Sequence, residues 1–163
     1  MRLSKILCLV VVLPALTLSG ASTKWGVDAL KLQHSIHTLT TLEAVNPFPG
    51  DVPGVVTAIG EKTDQLVTDL AALNASLTDE LPSLSAGERA EALDTYASLL
   101  MQTADAGQML ADRSLFTIVS GLGAGYTVSY DTYVSMTAQY GITRKTIPIY
   151  VEVNDRGSWP IPG

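Results

Sequence analysis

Apolar residues recur at helical spacing along most of this chain. The longest series runs from Ala86 to Ile118, where Ala86, Ala90, Leu93, Ala97, Leu100, Ala104, Gly107, Ala111 and Ile118 keep alternating steps of four and three, with only Ser114 polar in the series. Glu88, Arg89, Glu91, Asp94, Asp105 and Asp112 fall mainly off that stripe and give the helix a polar outer side. Ser85 stands three residues before Glu88, the spacing of a capping box, so the helix is expected to begin near Ala86. Much of the stripe is small. Small residues either let a neighbouring backbone come close or leave apolar volume that a hydrocarbon ligand can fill.

The same periodicity predicts three further helices. Over Trp25 to Val45, Leu32, Ile36, Leu39 and Leu42 share a line, with Lys31, Gln33 and Glu43 off it. Asn46-Pro47-Phe48-Pro49-Gly50 breaks the pattern and reads as a loop from which Phe48 can turn inward. Asp51 or Val52 followed by Pro53 is a helix start, and Val56, Ile59, Leu66, Val67, Leu70, Leu73 and Leu77 continue to about Thr78, opposite Glu61, Lys62, Asp64 and Asp69. The short link Leu81-Pro82-Ser83-Leu84 implies that the third helix returns antiparallel to the second. Ser114 to Tyr130 carries no charge; a turn is expected near Asp112 to Phe116, then a fourth helix from about Phe116 to Tyr140. Gly121, Gly123 and Gly125 weaken that helix by about 1 kcal/mol each relative to alanine. Beyond Gly141, the period-two series Ile147, Ile149, Val151, Val153, then Asn154-Asp155-Arg156-Gly157 and a Pro-rich end, predicts extended chain. The expected fold is an all-α, up-down bundle of four to five amphipathic helices with an extended C-terminal tail.

The N-terminal segment predicts that the bundle is exported. Arg2 and Lys5, the uncharged apolar run Ile6 to Leu18, and Ser19, Gly20 and Ala21 form a secretory signal peptide over residues 1–21. That run is too short for a membrane span. Residues 22–140 then make one helical-bundle domain and 141–163 the tail. The only cysteine, Cys8, leaves with the signal, so no disulfide is expected and stability must come from burial. Loss of Arg2 and Lys5 makes the net charge of −6 more negative by two, which argues against nucleic acid and anionic lipid as partners. No apolar C-terminal tail follows a polar spacer, so a glycolipid anchor is not expected either.

In layout the chain resembles the fungal hydrophobic-surface-binding protein family, which includes cell-wall galactomannoproteins. The likeness lies in the signal, Leu39-Thr40-Thr41-Leu42-Glu43-Ala44-Val45 before a Gly/Pro loop, and Glu61-Lys62-Thr63-Asp64-Gln65-Leu66 in the second helix. Leu84-Ser85-Ala86-Gly87-Glu88 opens the third, and Leu110-Ala111-Asp112-Arg113-Ser114-Leu115-Phe116 leads into the last. It covers roughly residues 25–140. The resemblance implies a small secreted bundle that binds hydrophobic material, with some relatives holding fatty acids between helices. Two features depart from the family pattern: the glycine-rich run Gly121-Leu122-Gly123-Ala124-Gly125 and the tail from Gly141 onward.

No constellation for catalysis is visible. His34 and His37 can share a face, but two imidazoles do not complete a zinc site. The glycine run neither follows a predicted strand nor carries a P-loop lysine, and no nucleophile elbow or zinc-protease helix is present. The pairs Asp79–Glu80 and Glu88–Glu91 read as helix-start acids explained by the dipole. Asn74-Ala75-Ser76 is an N-glycosylation sequon, expected to face solvent. Tyr126, Tyr130, Tyr133 and Tyr140 line one side of the fourth helix, as core or as the edge of a contact surface.

The expectation is therefore a secreted, non-enzymatic protein that uses no cofactor or metal and takes up hydrophobic surfaces or lipids such as long-chain fatty acids. Apolar space among Leu66, Leu70, Leu93, Ala97, Leu100, Ala104, Phe116 and Val119 is the candidate site. A second reading is a cell-wall structural or effector-type interaction module, with cell-wall components or a secreted enzyme as partners. For surface adsorption, the glycine-weakened fourth helix is expected to open and expose Leu115, Phe116, Ile118, Val119, Leu122 and Tyr126.

Overall fold

The computed structural model describes residues 23–45 and 53–160. The expected signal peptide, Cys8, the loop with Phe48 and the last three residues lie outside the described residues. Four helices follow in order: α1 (Lys24–Val45), α2 (Pro53–Glu80), α3 (Ala86–Asp112) and α4 (Phe116–Tyr140). Their limits come from local chemistry. Pro53 opens α2 with the missing N–H where no partner was needed. At α3 the capping box forms in full: Glu88 N donates to Ser85 Oγ (3.3 Å) and Ser85 N to Glu88 Oε2 (2.8 Å). Hydrogen bonding to the carboxylate from Ser85, first from its side chain and then from its backbone N–H, holds the Glu88 carboxyl below its ordinary pKa.

The uncharged stretch after Asp112 does break the long stripe. Ser114 adopts the left-handed conformation (φ 60°), Ser114 N donates to Ala111 O (2.9 Å) and Leu115 N to Leu110 O (3.2 Å), which is a Schellman closure made without glycine. Gly141 (φ 63°) closes α4 in the same way, with Ile142 N on Thr137 O at 2.9 Å.

The helices alternate in direction around one core, and all four contribute to it. α3 runs antiparallel to α2, yet it does not pack flank to flank with it. Instead α1 lies against α2 and α3, and α4 against α2 and α3, so the link through a short 3₁₀ turn (Leu81–Ser83) crosses a diagonal of the bundle. Tyr96 of α3 spans that diagonal: its hydroxyl lies 2.9 Å from Asn74 Oδ1 on α2 and 3.2 Å from the Ser129 carbonyl on α4. The buried threonines return their hydroxyls to their own helix, as Thr63 Oγ1 does to Ile59 O (2.8 Å) and Thr103 Oγ1 to Leu99 O (2.7 Å). Ala86 and Ala90, at the start of the long stripe, are exposed; the buried part begins at Ala92 and Leu93.

The tail is extended, and it folds back on itself. β1 (Val151–Val153) and β2 (Arg156–Ser158) pair antiparallel, with Val151 opposite Ser158 and Val153 opposite Arg156. Asn154 (φ 52°) and Asp155 (φ 59°) make the two-residue turn, both in the left-handed region that a type I′ hairpin requires. Among the described residues no helix is long and apolar enough to cross a membrane.

Candidate functional site

The residues expected to line apolar space are brought together, as core. Leu66, Leu70, Leu93, Ala97, Leu100, Ala104 and Val119 are at most 1% exposed and belong to one cluster. Phe116 is half-buried at the start of α4, with the Arg156 guanidinium 5.6 Å from its ring centre. A described groove lies elsewhere, about 460 Å³ between α1 and α2, where Val27 and Leu30 supply an apolar wall beside Lys31 and His34. Asp69 at its edge accepts from Ser35 Oγ (2.5 Å) and from Gln65 Nε2 (3.0 Å).

The small residues of the stripe and the glycine run have a use that periodicity did not reveal: they seat the tail. A Cβ at Gly107 on α3 would overlap the Trp159 indole, and one at Gly123 on α4 would overlap the Tyr150 ring. The expectation that Gly121, Gly123 and Gly125 act alike as weak points is thus corrected. Gly121 faces open space, Gly123 is a seat, and a Cβ at Gly125 would come within 2.9 Å of Val67 Cγ1 on α2.

Tyrosines of α4 fasten the same tail. Tyr126 donates its hydroxyl to the Pro148 carbonyl, and Lys145 N donates to Tyr133 Oη (3.0 Å). Burial first, then the charges of Tyr130, Asp105 and Tyr96, push the Tyr126 pKa far up, so the phenol stays a donor. The Trp159 ring meets Tyr126 edge-on (5.9 Å, 87°) and lies 4.8 Å from Tyr150. Trp159 N donates to Gln108 Oε1 (3.1 Å), and Lys145 pairs with Asp94. Glu152 accepts from Ser120 Oγ and Tyr150 Oη, both at 2.6 Å, which lowers its pKa. Of the other two tyrosines in the line, Tyr130 stacks on Tyr126 (6.4 Å, 27°) and Tyr140 lies under the Arg89 guanidinium (4.8 Å).

Docking uses one face of the strand and leaves the other to solvent. Tyr150 and Glu152 contact the bundle, while Ile149, Val151 and Val153 are 45%, 39% and 60% exposed. Ile147, of the same parity, is buried, so the apolar ridge begins at Ile149. The period-two series marked this ridge in the sequence; what it could not show is which face the bundle would take.

Six polar positions singled out in the sequence also find their place. Glu43, set off the apolar line by periodicity, is fully buried, and Arg113 Nη2 donates to its backbone carbonyl (2.6 Å). Asp79 and Glu80 end α2 and do not start a helix; the Glu80 carboxylate instead caps α1, accepting from Lys24 N (3.2 Å) and Trp25 N (2.7 Å). Asn74 lies half-buried in α2 with its amide oxygen on Tyr96. His34 and His37 are exposed on α1, and among the described residues no group of three or more His, Cys, Asp or Glu is placed to hold a metal.

Comparison of the chain with known protein families, with characterised proteins and with solved structures gives no match.

Proposed function

We propose that this protein is a secreted, non-enzymatic binder of hydrophobic surfaces or lipid, and that the tail hairpin makes the contact. One observation carries this reading: Ile149 just before β1, and Val151 and Val153 on it, are exposed, while Pro148 and Glu152 of the alternate parity are fastened to α4. Three adjacent exposed branched apolar side chains on an anchored strand offer contact area that needs no unfolding. Because the anchoring aromatics are already ordered, little further entropy is lost on contact. Uptake of a long-chain fatty acid among the buried core residues remains the alternative site for the same function, and it requires the core to part. The apolar groove beside Val27 and Leu30, each about two-fifths exposed (41% and 42%), favours a second reading, an interaction module for a secreted or cell-wall partner.

The test is retention on octyl-coated beads of a variant carrying Ile149→Thr, Val151→Thr and Val153→Thr. Threonine keeps the β-branched shape of the strand while removing apolar area. Loss of roughly 2 kcal/mol of contact, or more than tenfold in retention, is expected, with helical content and thermal midpoint preserved. Unchanged retention would dismiss the ridge as the contact surface.

A further inference from the structure

The one fully buried acid of the described residues has no role in tail docking, and its setting is unusual. Glu43 is 0% exposed, and neither carboxyl oxygen has a hydrogen-bond partner among the described residues. It occupies the last turn of α1, which holds no basic residue. α3 ends at the same place, since Arg113, just past Asp112, reaches the Glu43 carbonyl. The side chain therefore sits at the negative end of its own helix, with the Arg113 side chain engaged by the Glu43 backbone carbonyl. An ionised carboxylate there would lose its water and accept no bond, whereas a neutral carboxyl pays much less for burial.

We infer that Glu43 is a proton-operated latch: neutral, it lets the end of α1 seat against the end of α3, and on ionising it releases that end. Among the described residues the charge that acts on it is Arg113, whose field favours ionisation; no described charge of α2 or α4 contributes to its shift. Arg113 already donates to the backbone carbonyl, and burial outweighs its pull, so the Glu43 pKa is pushed up to about 7. The folded value is raised above the ordinary 4.5, so the stabilisation is fully present below pH 4.5 and is lost as pH rises to about 7.

Two measurements on the full chain decide this: a carbon-13 NMR titration of the Glu43 carboxyl, and amide hydrogen exchange over residues 39–44 between pH 5 and 8, corrected for the intrinsic rate. A carboxyl midpoint near 7 is expected, with protection at 39–44 falling by up to about two orders of magnitude as pH rises from 5 to about 7 and levelling off above it. Glu43→Gln should hold its protection at pH 8. A midpoint near 4.5, ionisation near 7 without loss of protection, or the same loss in Glu43→Gln would each overturn the latch. Should the glutamine variant not fold, the wild-type titration and exchange decide alone.

Discussion

Gly121 and Gly123, two residues apart on α4, separate two effects that composition lumps together. At Gly121 a methyl group meets nothing within 4 Å, so Gly121→Ala gains only helix propensity and should stabilise by about 0.5–1 kcal/mol. At Gly123 the methyl would overlap the Tyr150 ring, so Gly123→Ala should lift the tail and cost about 1–3 kcal/mol. Thermal midpoints give both signs, and tryptophan emission should shift to the red only in Gly123→Ala, because Trp159 packs against Tyr150. A rise in midpoint for both variants would mean that the tail is not seated on that glycine. In the sequence both residues are simply helix-weakening glycines. Which of them is a seat depends on an aromatic ring supplied from 27 residues further along, a contact no local pattern encodes.

At the scale of elements the sequence was readable wherever the signal was local. The capping box at Ser85, the proline at the start of α2, the break after Asp112 and the period-two tail all report interactions within a few residues, and each element forms where its signal lies. Signals that depend on a partner element were not legible. Glu80 reads in the sequence as a helix-start acid, whereas it ends α2, and only the antiparallel return of α2 beside α1 brings its carboxylate to two N–H groups at the start of α1. Glu80→Ala should therefore destabilise by about 1 kcal/mol, with faster amide exchange in the first turn of α1 and not at the end of α2 where the residue resides. Faster exchange confined to α2 would assign the residue a purely local role. Glu43 was hidden for the same reason: periodicity sets it off the apolar line of α1, yet it is fully buried, with Arg113 from beyond α3 on its backbone carbonyl.

For the whole molecule, the apolar stripe and the glycine run meet different neighbours. Leu66, Leu70, Leu93, Ala97, Leu100, Ala104 and Val119 form the core that holds the bundle, while Gly107 and Gly123, from the same small-residue segments, receive the tail. Hydrophobicity was legible; its allocation between core, seat and surface required the packed structure. Adsorption through the ridge and adsorption through an opened α4 predict opposite labelling of the same protein, which makes carbene footprinting of the bead-adsorbed chain the most direct measurement. If the ridge makes the contact, Ile149, Val151 and Val153 lose labelling on adsorption, while Val119 and Leu122 in the core stay as unlabelled as in free protein. Undiminished labelling at the ridge together with new labelling at Val119 and Leu122 would contradict contact through the anchored hairpin.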